Sequence, residues 1–582
     1  MTSTPSWNLT DLFQSPDDPR LLDTLTLVSD QAIDFATRYQ GKIATLTAGA
    51  LAEALASYER LHQEGSKPAT YAGLRFAADT APENGAQVQK LREKTTTALL
   101  PTLFFPIELA RLDGKQLETL AAAPELANWR RYLLHVAQTA PFSLSEPEEK
   151  VLAQKANTGN RAWVRLFQEL LASLRFDLEG KSLSLSEVST FQYHTDREQR
   201  RQSAEALTQG LRPHLRTLTY IYNTLVQDKA LEDGLRGYTF PEQARHLSNE
   251  LTPEIVAAVT DTAEAGYPTV GRYYKAKQKL LGLDSLTHYD RYAPLHTDEP
   301  RVSFDEARDD ILAAFARFEP SYAAAGQAFF DGGWIDAAPR QGKQGGAFCS
   351  YTTPDLHPYL FQSYLNRASD KNTLAHELGH GIHSSLSRGQ SFLNFHGTLP
   401  MAEVASTFAE LLVFEQEQAR VTGAARQALF GRVLEDSFST IHRQTAMYRF
   451  EQAVHAERKQ GELPTERISA LWQEKMSAMF AGAVTLGDEH ALWWSYIPHF
   501  IGTPFYVYAY SFGKMLALAL YYRYQQEGAP FAQKYVAMLS QGGSQFPTEL
   551  VAPLGVDLSD PGFWQGALEI LESWVTEFEK TP

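Results

Sequence analysis

Residues 374–388 read Leu-Ala-His-Glu-Leu-Gly-His-Gly-Ile-His-Ser-Ser-Leu-Ser-Arg, and the spacing inside this stretch decides what the chain folds into here and what chemistry it can carry. Leu374, Leu378, Ile382 and Leu386 recur every four residues, which predicts a helix with one apolar face. His376, His380 and His383 then lie roughly opposite that face. Two imidazoles four residues apart on a helix project from the same side and can hold one metal ion. Glu377 follows the first histidine, so it lies beside such an ion rather than on it, where a carboxylate can take a proton from water. Ser369 or Asp370 is placed to cap the helix start, and Arg388-Gly389 fits its end. Gly379 and Gly381 each weaken a helix by about 1 kcal/mol relative to alanine. Their presence predicts that a packed neighbour or a substrate backbone approaches this helix closely. The alternative is an ordinary amphipathic helix that carries polar histidines.

A catalytic zinc takes three protein ligands and keeps one position open. His383 stands where the metzincin continuation requires Gly, and Leu386 where it requires His, so the third ligand has to come from elsewhere. Downstream lies Met401-Ala-Glu-Val-Ala-Ser-Thr-Phe-Ala-Glu410. Val404, Phe408, Leu411 and Leu412 give it a helical apolar face, with Glu403, Ser406, Thr407 and Glu410 on another, and Pro400 suits its first turn. Two antiparallel helices joined through Asn394-Phe-His-Gly397 would bring Glu403 against the histidines as the third ligand. Glu410, two turns on, either orients a ligand histidine or is a solvated surface charge.

The run His376–His383, followed by Glu403 in Ala-Glu-Val-Ala-Ser-Thr, resembles the oligoendopeptidase F branch of the thimet-oligopeptidase-like zinc peptidases. That pattern has a glycine before the second histidine and another histidine three residues after it. Gly379 and His383 stand at those positions, which makes His383 a supporting residue of the metal site. Trp7-Asn-Leu-Thr-Asp-Leu-Phe13 resembles the start of oligoendopeptidase F chains, and Leu286-Thr-His-Tyr-Asp-Arg-Tyr-Ala-Pro294 resembles a segment before their catalytic core. The resemblance implies a mainly α-helical, two-lobed body with a deep central substrate channel that admits short, unfolded peptides.

Two further segments bear on the chemistry. Gly345–Gln362 is aromatic and apolar but interrupted by prolines, which predicts an edge or irregular strand. An exposed edge beside a metal can hydrogen-bond a substrate backbone, and in the resembling family this region borders the cleft. Gly346, Ala347 and His357 are then substrate contacts; otherwise the segment is a small structural hairpin. Ile497–Tyr510 holds His499, a Gly-Thr-Pro loop and alternating tyrosines. Tyrosine hydroxyls or a histidine N–H can stabilise the charge that builds on the carbonyl oxygen in peptide hydrolysis, although such clusters also serve as core packing. The segment resembles the His-and-Tyr stretch that supplies this function in the family. His499 leads the candidates, then Tyr508 and Tyr506, with Tyr510 structural. Gly502 could let the loop close over the substrate. His490 reads as a supporting residue.

Composition restricts the partners. At 582 residues the chain can bury a large core, and its formal charge of -16 argues against a nucleic-acid or anionic-membrane partner. A single cysteine, Cys349, rules out an intrachain disulfide and fits a reducing compartment. The start carries no signal-peptide pattern, and the apolar run Met515–Tyr522 is too short to span a bilayer, so a cytoplasmic location is expected. Helical periodicity dominates, as in Thr47–Gln63, Asn84–Leu100, Arg197–Gln227 and Pro253–Leu281. Strand-like stretches are few: Phe176–Leu185 and the one ending near Gln362, a small sheet near the metal site. Gly332–Gly346 reads as a loop. A boundary near 190 divides a helical N-terminal lobe, 1–190, from a catalytic region, 191–582.

These readings converge on a zinc-dependent endopeptidase that cleaves short, unstructured oligopeptides, with one zinc on His376, His380 and Glu403, Glu377 as base and His499 with a tyrosine at the oxyanion. The competing readings are a zinc exopeptidase and a non-catalytic peptide-binding helical protein. The spacing disfavours an aminopeptidase, in which the ligand glutamate follows the second histidine sooner, and an intact Glu377 disfavours a purely structural metal.

Overall fold

A computed structural model describes residues 4–295 and 300–580. As expected, the fold is mainly α-helical with a few small sheets. The chain forms two compact units that interleave along the sequence, and each is described by itself. The first comprises 1–143, 299–417 and 523–557, the second 144–298, 418–522 and 558–582.

In the first unit the helices Arg20–Tyr39, Ala48–Ala78 and Pro82–Leu99 lead the sequence. Val28, Phe35, Leu51, Leu55, Phe105, Leu109 and Leu133 make one buried cluster, and Leu12, Phe13, Tyr71, Leu74, Leu91 and Tyr359 a second. Trp7 packs its ring against Phe348, Tyr359 and Phe361. The segment Trp7–Phe13 thus covers a three-stranded sheet of β1 (Ile335–Asp336), β2 (Phe348–Ser350) and β3 (Tyr359–Phe361). The strand order is β1-β3-β2, with β3 parallel to β1 and antiparallel to β2. Leu360 pairs with Ile335 on one side and Cys349 on the other. Pro354 and Pro358 fall between β2 and β3, where no ladder needs their missing N–H.

The run Gly332–Gly346 is not wholly a loop, because β1 lies inside it. A two-residue strand carries no alternation to read, and long-range partners make it. The Lys343 ammonium, 1% exposed, donates to the Asp336 carboxylate at 2.6 Å and to the Gln362 carbonyl at 2.5 Å, closing residues 337–342 over the sheet.

Two long helices complete this part of the unit: α1 (Ala368–Ser387) and α2 (Leu399–Arg420). The Asp370 carboxylate accepts the backbone N–H groups of Leu365 and Arg367 at 2.7 and 2.9 Å, so it ties down the start of α1 from inside its first turn. Pro400 sits in the first turn of α2, where its missing N–H costs nothing.

The second unit contains the hairpin Phe176–Leu178/Lys181–Leu183 where strand had been expected. The helical span Arg197–Gln227 is two helices, Arg197–Leu211 and Leu215–Arg236, separated by a tight turn that holds Pro213. Pro253–Leu281 likewise breaks at Gly266, between Pro253–Ala265 and Tyr267–Leu280. A Cβ on Gly266 would lie 2.6 Å from His442 Nε2, so the break lets another helix segment approach. Of the apolar run Met515–Tyr522, Met515–Tyr521 is a buried strip of the helix Tyr508–Glu527. No helix among the described residues is long and apolar enough to cross a membrane.

Candidate metal centre

Helix α1 presents His376 and His380 side by side, their ring centroids 4.9 Å apart. Helix α2 runs against it and delivers Glu403, whose Oε2 lies 3.5 Å from His376 Nε2 and 3.8 Å from His380 Nε2. One donor atom from each of the three residues falls within 4.8 Å of the others, and this is the one such group of metal-ligating side chains among the described residues. A tetrahedral zinc with bonds of about 2.1 Å separates its ligand atoms by roughly 3.4 Å, so the two nitrogens and one oxygen fit that ion.

Helices α1 and α2 can meet this closely because of Gly379, and Gly381 admits the helix Pro320–Asp331 on another side. A Cβ on Gly379 would lie 2.6 Å from the Ala405 carbonyl oxygen and 2.6 Å from Ser406 Cα; one on Gly381 would lie 2.3 Å from the Phe329 ring. Both glycines therefore answer to packed neighbours rather than to a substrate.

Glu410 accepts the Nδ1–H of His376 at 2.5 Å, which leaves Nε2 turned to Glu403. Burial alone would lower the His376 pKa; the Glu410 hydrogen bond and the charges of Glu410, Glu403 and Glu377 carry it up to about 9. For His380, burial and the neighbouring His376 and His383 charges bring it down to about 3. Glu377 is buried, and its Oε2 has no hydrogen-bond partner in the protein. Burial pushes its carboxyl up to about 7. His383 is buried beneath the site with its Nδ1 unpartnered, packed edge-on against Tyr351 at 6.3 Å.

Of the proposed substrate contacts, Gly346 and Ala347 lead into β2, which ends the sheet beside α1. Gly346 has φ +89°, a left-handed turn that aims the strand. His357 is placed differently: Nε2 meets Asp11 Oδ2 at 2.9 Å, Nδ1 the Pro358 carbonyl at 3.0 Å, and its ring stacks on Trp334 at 4.2 Å. Both nitrogens are engaged in holding the sheet.

In the second unit His499 is half-buried and pairs with two tyrosines. Tyr506 lies parallel to it at 6.1 Å, and the Tyr510 hydroxyl is 3.3 Å from His499 Nε2. The Arg245 guanidinium lies over the Tyr506 ring at 5.5 Å. Tyr508 points elsewhere. It is fully buried, receives the Asn249 amide at 2.9 Å and meets His246 Nδ1 at 3.0 Å. The helix starts at Tyr508, so 508 and 510 point to nearly opposite sides, and of these two it is Tyr510 that turns to His499.

The family model described as peptidase family M3 matches residues 190–570, and one described as oligopeptidase F matches residues 108–176. The chain belongs to peptidase family M3. This M3 chain is a metallopeptidase, a hydrolase of peptide bonds. It is 26% identical to oligopeptidase PepF of Bacillus subtilis over 99% of its own length and 87% of the relative's. A crystal structure of a Chlamydophila abortus protein described as a peptidase superposes with a TM-score of 0.88 at 25% identity, over 100% of this chain and 99% of that one. Oligoendopeptidase F from Enterococcus faecium shares the fold, with a TM-score of 0.71 at 22% identity, over 96% and 98% of the two chains.

The M3 site also contains residues that sequence reading passed over. Tyr351 follows β2, its hydroxyl 3.5 Å from His380 Nδ1 and its ring stacked on His396 at 5.1 Å. The signal was present: Cys349 and Tyr351 are two apart, so in extended chain they share a side. The Tyr351 contact with His380 puts that side toward α1. Lys371, five residues before His376 on α1, was missed altogether.

Proposed function

We propose that this metallopeptidase is a zinc-dependent endopeptidase acting on internal bonds of short, unstructured peptides, with His376, His380 and Glu403 as the ligands of one zinc. The observation that carries the reading is the pairing of a two-nitrogen, one-oxygen donor group with a buried, unpartnered Glu377 carboxylate oxygen one residue from the first ligand. Zinc, when bound, supplies a Lewis acid that acidifies water and polarises the peptide carbonyl. Glu377 takes the proton from the attacking water and later delivers it to the leaving amine nitrogen. Glu410 holds the His376 ring by its Nδ1–H, and the open side of β2 hydrogen-bonds the peptide backbone through Gly346 and Ala347. The negative charge on the carbonyl oxygen is assigned to His499 with Tyr510 and Tyr506; the engaged hydroxyl of Tyr508 supports its removal from that group.

Catalysis is assigned to residues 191–582 and a helical N-terminal part to residues 1–190, a division that the two family matches support. The single Cys349 supports a cytoplasmic location.

An internally quenched peptide of about ten residues, blocked at both ends, tests the reading. Internal cleavage that stops with a chelator and returns with zinc is expected. Trimming of free peptides without cleavage of blocked ones would convert the assignment to an exopeptidase, and binding without hydrolysis would convert it to a peptide-binding protein.

A further inference from the structure

Three glutamates of α2, Glu403, Glu410 and Glu417, are seven residues apart, two turns each, so they line one face of the helix. Each meets α1 one step further toward its start. Glu403 faces His380 and His376, Glu410 holds His376 Nδ1, and Glu417 pairs with the Lys371 ammonium at 2.5 Å. The first two rungs belong to the metal centre. The third is an ion pair with no place in the chemistry.

We propose that Lys371 is a positioning residue of the metal centre: its ion pair with Glu417 fixes the register of α1 against α2 and thereby the separation of the two histidines from Glu403. The inference rests on the ligand assignment above. Lys371 is 4% exposed and lies on the same side of α1 as the buried Leu374, Leu378 and Ile382. Its charge has no route to solvent. The ammonium also meets Asp310 Oδ2 at 3.2 Å, on the helix Phe304–Phe318, and the Gln416 amide donates to the Asp310 carbonyl at 3.0 Å. Removing Lys371 would take its charge away from both Glu417 and Asp310, so the pairing resists sliding. A slide of one residue along a helix is about 1.5 Å, enough to ruin ligand positions that must hold to about half an ångström. Close packing at Gly379 sets how near the helices come; Lys371 sets where along each other they stop.

The test is the zinc affinity of the full chain, measured by competition with a chromophoric chelator, together with the visible spectrum of the cobalt-substituted protein. Lys371→Met is expected to weaken zinc binding by roughly 10- to 100-fold and to shift the cobalt bands, with helix content unchanged, while Lys371→Arg stays within about threefold of wild type. A general loss of packing would lower the melting temperature of metal-free and loaded protein alike and leave the cobalt bands in place, which would overturn the proposal. So would a folded Lys371→Met chain with wild-type zinc affinity. If Lys371→Met does not fold, Glu417→Gln decides, since it leaves Lys371 beside Asp310: a loss of about fivefold or more is expected, and unchanged affinity overturns the proposal. Failure of the ligand assignment is distinguishable, because Glu403→Ala would then keep full zinc occupancy.

Discussion

Gly379 touches the backbone of Ala405: a methyl group on the glycine would lie 2.6 Å from the Ala405 carbonyl oxygen. Neither side can yield by turning a side chain, so Gly379→Ala has to push α1 away from α2. A loss of about 2–3 kcal/mol in stability is expected, read by denaturant titration, with weaker zinc binding. Unchanged values for both would mean that the helices have slack here.

Glu377→Gln keeps the shape of the side chain and removes its ability to accept a proton. Zinc content by metal analysis is expected to stay at one per chain, while kcat falls on the order of 10²- to 10⁴-fold. Wild-type turnover in this variant would end its assignment as the base.

Tyr508 and Tyr510 separate structure from catalysis. Tyr508→Phe leaves buried Asn249 and His246 without their hydroxyl partner, so it is expected to cost about 1–3 kcal/mol in a thermal melt and to spare kcat. Tyr510→Phe is expected to do the reverse, lowering kcat roughly 10- to 100-fold with little change in melting. The opposite outcome would restore Tyr508 to the site.

Glu451 is fully buried, accepts the Phe505 N–H at 2.8 Å with one oxygen, and has no partner in the protein for the other. Burial pushes its carboxyl up to about 8. Its folded pKa thus exceeds the unfolded value of about 4.3, so its contribution is intact at low pH and is lost as pH rises through that window. Glu451→Gln keeps the acceptor and removes the titration. Its melting temperature relative to wild type is expected to rise from pH 5 to pH 8 and then level off; a constant difference across that range would show that Glu451 titrates normally.

Much of the centre was legible because helices convert sequence spacing into geometry. His376, His380, Glu403 and Glu410 sit where a period of 3.6 residues puts them, and their two helices meet as the loop between them required. Gly379 was legible as a close approach, though not the identity of what approaches. What spacing does not encode is which of two hydrogen-bonding groups a side chain finds. His357 gave no sign that Asp11, far earlier in the chain, would take its Nε2, nor Tyr508 that Asn249 would donate to it. Lys371 offered no pattern to read, since its partners Glu417 and Asp310 come from other elements. β1 is too short to show any period at all.

The interleaving of the chain has a consequence for biosynthesis. The loop between α1 and α2 is held by Gly543, whose N–H donates to the Asn394 carbonyl at 2.7 Å, and the unit that carries the ligands takes its last segment from residues 523–557. A ribosome must therefore have delivered the chain through residue 557 before that unit can close. The nascent chain displays His376 and His380 well before it can assemble their surroundings, so proteolytic competence has to wait for that last segment to emerge.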